Sequence, residues 1–225
     1  AAEQSGNYLL AAEHYIALAN DAKGQQQAYY LYRAIQSYNQ INQFSQISDL
    51  LIQLDNSLLT TSQQLDLAII EAIIALADNN PEPALAALAP FQLSDATTQQ
   101  QQTALQLKIQ AYQLTENWLE KANSHIALAN LLNTPETVAE NQQALWQALL
   151  QLTPQALDLF NPGIAPAVDS GWFALAYAVK AYKTNPDTLI VAIEDWQRNY
   201  PNHPADTALY KELLKTGTRL PQKLS

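Results

Sequence analysis

A period of about thirty-six residues constrains this chain more than any other feature of its sequence. At six places one residue, usually alanine, is followed four positions later by a bulky one. The pairs are Ala11/Tyr15, Ile47/Leu51, Ala84/Leu88, Ala122/Ile126, Ala156/Phe160 and Ala192/Trp196. Their first members are separated by 36, 37, 38, 34 and 36 residues. A second ruler agrees for the first four copies: Tyr8, Phe44, Pro81 and Trp118 are 36, 37 and 37 apart. A spacing of four puts both members of a pair on one face of a helix. A large side chain on one helix then needs a small residue opposite it, so that two helices can lie close together. The bland alternative is chance periodicity in an Ala- and Leu-rich helical chain; six copies in phase argue against it.

The clearest stretch is 171–201, GWFALAYAVKAYKTNPDTLIVAIEDWQRNYP. It reads as two amphipathic helices with a short break. Trp172, Leu175, Ala176 and Val179 lie on the first, Ala192 and Trp196 on the second, and Tyr200-Pro201 follows. This resembles the tetratricopeptide pattern of W-x2-L-G-x2-Y on one helix, A-x3-F on the next, then proline. The opening run Gly6-Asn7-Tyr8 with Ala11 and Tyr15 resembles the second helix of such a unit. The fold expected is therefore all-α, with antiparallel helix pairs stacked as a tetratricopeptide-like solenoid of about six degenerate repeats.

Apolar periodicity and punctuation place the helices at 4–20, 26–41 and 44–54, with a turn over 55–60. Thr61-x-x-Gln64 reads as a capping box opening the fourth helix, whose stripe is Leu65, Ala68, Ile69, Ala72, Ile73 and Leu76. Beyond residue 80, proline marks helix starts, where its missing N–H costs nothing, as in Asn80-Pro81, Thr134-Pro135, Thr153-Pro154, Asn185-Pro186 and His203-Pro204. Further helices are expected at 81–89, 95–114, 117–132, 135–151, 154–160, 170–183, 187–199 and 204–215. No alternating run argues for a strand. The one long break, 161–170, is either a hinge or an ordinary loop. The repeat domain is expected to span 1–215, with 216–225 a linker to a further domain.

Charge excludes more than it assigns. Hydrophobic residues make up 48% and charged ones 14%, so the polar surface must be mostly neutral amide, including the glutamine run 99–102, read as a solvated helix face. The formal charge is −10, and between Ala34 and Leu107 there is no Lys or Arg. Binding a phosphate backbone needs clustered cations, so nucleic acid is not an expected partner. Without cysteine the chain has neither disulfides nor thiolate metal sites. Lacking even an initiator Met, it reads as a processed or excised piece, with room for a signal peptide or lipid-bearing cysteine ahead of Ala1. No apolar run approaches the eighteen or so residues of a membrane span.

No catalytic constellation emerges. His14, His125 and His203 are far apart, and a packed or half-exposed histidine is the ordinary reading of each. The five glycines form no phosphate loop, and neither G-x-S-x-G nor H-E-x-x-H occurs. Glu194-Asp195 are adjacent on a helix, point apart and read as a solvated face. The chain is therefore read as a non-enzyme with no cofactor, metal or catalytic residue. A helical repeat offers surface instead. If the first helix of each pair lines a concave face, the candidate interaction residues are Tyr29, Tyr30, Tyr32, Tyr112, Trp146 and Tyr177. Aromatics there can grip an extended peptide or stack on a sugar, although core packing is the commoner use of each taken singly. The cluster Tyr29-Tyr30-x-Tyr32 cannot all face inward, so part of it is expected at the surface.

SGWFALAYAVKAY at 170–182 and IEDWQRNYPNHPA at 193–205, with the W-x-x-x-Y-P-x-H-P run at 196–204, resemble the N-terminal domain of the LpoA-type outer-membrane lipoproteins. Those proteins activate a class A penicillin-binding protein, a bifunctional peptidoglycan synthase. The resemblance covers the whole chain in architecture, with its distinctive residues in the last quarter. It implies a periplasm-facing helical domain, held at the outer membrane only through a lipid anchor upstream. It also implies a following domain that carries most synthase contacts, with peptidoglycan itself a further candidate partner. Two other readings compete: an independent peptide- or protein-binding repeat module, and the helical accessory domain of a peptidoglycan-cleaving enzyme. The last needs a carboxyl group of raised pKa in a cleft.

Overall fold

Residues 6–159 and 167–205 are described by the structure, a computed structural model. Among them it is all-helical, in the order α1 (Tyr8–Asp21), α2 (Gly24–Asn39), α3 (Phe44–Gln53), α4 (Thr61–Ala77), α5 (Pro81–Leu88), α6 (Thr98–Leu114), α7 (Trp118–Ala129), α8 (Pro135–Gln151), α9 (Pro154–Asp158), α10 (Ala167–Tyr182) and α11 (Pro186–Asn199). Short 3₁₀ turns occupy Asn56–Leu58 and Leu93–Asp95. The expected all-α architecture of packed helix pairs is what these residues build: α1 with α2, α4 with α5, α7 with α8 and α10 with α11. No helix among the described residues is long and apolar enough to cross a membrane.

The period has a backbone cause. Gly6, Asn42, Asn79 and Glu116 all take left-handed φ values of 74°, 54°, 58° and 53°. Each stands two residues ahead of α1, α3, α5 and α7, whose first residues are Tyr8, Phe44, Pro81 and Trp118, the members of the second ruler. At the last three corners the next amide reaches back across the end of the preceding helix. Gln43 N donates to Tyr38 O, Asn80 N to Ala75 O and Asn117 N to Tyr112 O, at 3.1, 2.8 and 2.9 Å. That is the Schellman ending, which satisfies carbonyls the helix itself leaves orphaned. At two of these corners the residue after the left-handed one then caps the next helix with its side chain: Asn7 Oδ1 accepts from Leu10 N and Asn117 Oδ1 from Glu120 N.

The entries of α4, α6 and α8 use threonine. The capping box of α4 is Thr60 with Gln63, one residue earlier than expected at Thr61 and Gln64. Gln64 is drawn off to the preceding loop, donating to Asn56 O and Leu59 O. Thirty-seven residues on, Thr97 and Gln100 repeat the box, each backbone N–H donating to the other's side-chain oxygen at 3.1 and 3.2 Å. Thr134, Thr153 and Asn185 cap α8, α9 and α11 behind N1 prolines, as expected; the Asn80 side chain makes no such bond.

The chain divides into two units, residues up to Leu107 and from Lys108 onward, each with its own core. In the first, Ala12, Ala19, Ala28, Leu31, Ala34, Ile35, Ile47, Leu50, Leu67 and Ile70 form the buried cluster. Alanines on α1 let α2 approach closely. In the second, Ala122, Leu145, Leu149, Leu157, Phe173, Leu175, Leu189, Ile193 and Trp196 do the same work with larger side chains. The first four small members of the pairs, Ala11, Ile47, Ala84 and Ala122, are all buried.

Two features depart from the repeat. The turn after α8 has no left-handed residue; Leu152 is extended. The Lys180 ammonium closes that helix end instead, donating to Leu150 O and Leu152 O at 2.6 and 2.5 Å. The expected break at 161–170 is shorter than read at its far end. Ala167–Tyr182 is one helix, with Asp169 supplying a carboxylate in the first turn, where the helix dipole favours it. Residues 161–166, most of the expected helix at 204–215 and the linker at 216–225 lie outside the described residues.

Candidate interaction surfaces

In the first unit the tyrosine cluster of α2 splits by face. Tyr32 is 6% exposed and Tyr29 38%, with Tyr30 half-buried between them. Tyr30 stacks on Tyr15 of α1, with ring centroids 6.5 Å apart and planes at 26°. The Arg33 guanidinium lies 5.0 Å from the Tyr15 ring centroid and 5.9 Å from that of Tyr29, and its Nη1 donates to the Tyr29 hydroxyl at 3.0 Å. The result is a partly exposed patch of phenol rings around one cation.

Tyr32 serves a different purpose. Its hydroxyl donates to Asp66 Oδ2 at 2.7 Å and accepts from Gln36 Nε2 at 2.6 Å. Burial, then the hydrogen bond to the Asp66 carboxylate, push the phenol well above the usual tyrosine range. The other Asp66 oxygen accepts from Gln100 Nε2 at 2.7 Å. Gln100 also donates to Ser62 O. A polar chain thus joins α2, α4 and α6. Gln100 is buried, so one residue of the glutamine run expected on a solvated face faces inward instead. A buried amide must spend its donors and acceptor on partners, and this one spends them on Ser62 and Asp66 of α4 and on Thr97 at its own helix entry.

In the second unit Trp146 is 3% exposed, inside the core, and presents no ring to a partner. Tyr112 and Tyr177 are half-buried, Tyr177 edge-on to Tyr182 at 6.3 Å. Among the described residues no ring contact joins Tyr112, Trp146 and Tyr177. Of the remaining expected aromatics, Tyr29 is exposed and Tyr30 half-buried in the first unit, and Tyr112 and Tyr177 are half-buried in the second, Tyr177 against Tyr182.

The histidines are packed or plain. His14 is exposed. His125 is buried between α7 and α8, its Nδ1 2.7 Å from Asn141 Oδ1, while Asn141 Nδ2 donates to His125 O at 2.9 Å. Burial lowers the imidazole pKa; the Asn141 hydrogen bond opposes that shift, and the Lys121 charge adds to it. His203 is boxed by Trp172, Trp196 and Tyr200, with centroids 5.2, 5.1 and 6.1 Å away, and its Nδ1 accepts from Ala205 N. The Trp196 indole N–H donates to Gly171 O at 2.8 Å. A Cβ on Gly171 would come within 2.5 Å of His203 Cδ2, so glycine is the only residue that lets the ring sit there. The W-x-x-x-Y-P-x-H-P run is thus a packing corner.

Sequence reading missed a groove between α7, α8 and α10, of about 720 Å³. Its walls include Ile126, Leu145 and Trp172 from the core, and its polar groups are Asn123, Asn130, Gln142 and Asp169. Amides are so common in this chain that nothing in the sequence marks the three amides out. Glu194 and Asp195 are exposed, as expected, and Asp195 pairs with Arg198 at the surface. No group of three or more metal-ligating side chains occurs among the described residues.

Fold and surfaces together define a helical-repeat domain with packing corners and open grooves. By sequence the chain belongs to the LppC putative lipoprotein family, which matches residues 6–224. It is 31% identical over 198 residues to the penicillin-binding protein activator LpoA of Edwardsiella ictaluri, covering 88% of this chain and 29% of that protein. It is 32% identical over 160 residues to the LpoA of Erwinia tasmaniensis, covering 71% and 24%. The chain thus spans under a third of the relatives it matches. Among solved structures it resembles the LpoA N-terminal domain of Haemophilus influenzae, with a TM-score of 0.57, 26% identity, and 92% of this chain and 94% of that one covered. The amino-terminal domain of E. coli LpoA shares the fold at a TM-score of 0.60 and 23% identity.

Proposed function

We propose that this chain is a non-catalytic scaffold and interaction domain of a lipid-anchored protein on the periplasmic side of the outer membrane, and that the whole protein activates a bifunctional peptidoglycan synthase. The observation that carries this reading is the end-to-end match to the Haemophilus influenzae LpoA N-terminal domain, set beside relatives named as penicillin-binding protein activators. The structure supports the scaffold reading in kind: among the described residues polar side chains cap helices, bridge them or lie on the surface. Synthase contact is assigned mainly to the region that follows these residues in the longer relatives, with this domain holding that region at the correct reach. The test is binding of this chain to the purified periplasmic region of a class A penicillin-binding protein, with a sacculus pull-down in parallel. The expected result is weak or no synthase binding by this chain alone and no release of soluble muropeptides. Muropeptide release would refute the non-catalytic reading, and tight synthase binding by this domain would refute the division of labour.

A further inference from the structure

The groove of the second unit has the composition of a binding site, and nothing above uses it. Its floor is apolar, made by Ile126, Val138, Leu145 and the Trp172 indole. Three carboxamides line it, Asn123 from α7, Asn130 at the C-cap of α7 and Gln142 from α8. Among the described residues none of their side chains hydrogen-bonds to another protein group. Elsewhere in this chain buried or bridging amides are used: Gln100 and Asn141 spend theirs within the fold. Asp169, at the first turn of α10, is the one charged residue among the described residues of the lining.

We propose that this groove binds an extended polypeptide segment carrying a lysine or arginine, with the amides reading its backbone and Asp169 its cation. A side-chain carboxamide is the same functional group as a peptide bond, one donor face and one acceptor face, so it matches a backbone exposed in extended form. An apolar floor with a few convergent polar groups is the general build of a ligand site. Charge complementarity selects the cation, because among the described lining residues the groove offers a carboxylate and no lysine or arginine, in a chain of formal charge −10. Burial raises the Asp169 carboxyl pKa, opposed by the nearby His203 charge, so a bound ammonium or guanidinium replaces solvation the carboxylate lacks. An N-acetylated glycan could use the amides and the indole, and its hydroxyls could donate to Asp169, but it brings no cation to offset the carboxylate's charge, which is why the peptide is favoured.

The test is selection of a random nine-residue peptide library on this chain, followed by titration of the enriched peptides against variants. Enriched peptides are expected to carry Lys or Arg, and to weaken about tenfold or more with Asp169→Asn, the loss typical of a charge-assisted hydrogen bond. The double variant Asn130→Ala, Gln142→Ala changes accessible groove amides and keeps the test open if Asp169→Asn melts early. It should weaken the same peptides while leaving the thermal midpoint in place. No enrichment, or peptides that bind both variants as tightly as the parent, overturns the proposal. So does saturable binding of N-acetylglucosamine tetramer that the variants abolish while peptides fail, since that makes the ligand a glycan. The result is independent of synthase activation.

Discussion

Gly171 and Glu116 sit at opposite ends of what one side chain can do to a corner. At Gly171 there is no room: a Cβ would lie 2.5 and 2.6 Å from two atoms of the His203 ring and 3.1 Å from Tyr200. Gly171→Ala is therefore expected to destabilise by about 1–3 kcal/mol, the usual cost of overpacking, read as a lower denaturant midpoint. At Glu116 the strain is in the backbone, with φ at 53° on an exposed residue. A left-handed L-residue costs about 1–2 kcal/mol, partly offset in glycine by unfolded-state entropy of about 0.5–1 kcal/mol. Glu116→Gly should then stabilise by about 0.5–1 kcal/mol in the same melt, whereas Asn79, a residue tolerant of that region, offers less to gain. His125 adds a pH dependence. Its folded pKa is lowered, chiefly by burial, so the unfolded chain takes up a proton where the folded one does not. Its contribution is in place above the ordinary histidine value of about 6.5 and is lost as pH falls through and below it. The drop in thermal midpoint between about pH 7.5 and 5.5 should be smaller in His125→Gln than in the parent, and an equal drop would contradict the assignment. At this scale the sequence was least readable. Gln100 and Gln99 are the same residue type side by side, yet one is buried in a three-helix bond network and the other exposed. Helical phase alone does not say which face meets a neighbour.

Helices are where periodicity and punctuation spoke clearly, because caps and prolines act locally. Pro135, Pro154 and Pro186 stand at N1, each behind a Thr or Asn that bonds back to its helix. Reading the α4 box one residue late has a simple cause: Thr60 and Thr61 are adjacent, as are Gln63 and Gln64, so both registers fit the pattern. The left-handed corner was legible only through its consequence, the regular spacing of Tyr8, Phe44, Pro81 and Trp118. Glu116, a poor left-handed residue, gave no local sign. The end of α8 was not legible at all, since Lys180 arrives from thirty residues away. Removing it leaves two helix-terminal carbonyls without their charged donor. Lys180→Met, which keeps much of the apolar stem, is expected to cost about 1–3 kcal/mol in the unfolding free energy. A loss no greater than that of an exposed lysine would show that the carbonyls find other partners.

For the whole chain, repeat periodicity and the motifs at 170–205 pointed to the fold and to the family, because both are properties of many residues at once. The binding surface was not so readable. Of the six aromatics, Tyr32 and Trp146 are interior, and the groove amides carry no sequence signature. The chain spans 29% of the Edwardsiella ictaluri relative. The most direct measurement replaces the matching stretch of that relative with this chain and follows glycan-strand synthesis by the penicillin-binding protein that the relative activates. Alongside, this chain alone is incubated with sacculi. The account predicts that the fusion stimulates synthesis about as well as the intact relative, while this chain alone releases no muropeptides. A silent fusion beside an active relative, or muropeptides released by the isolated chain, would contradict it.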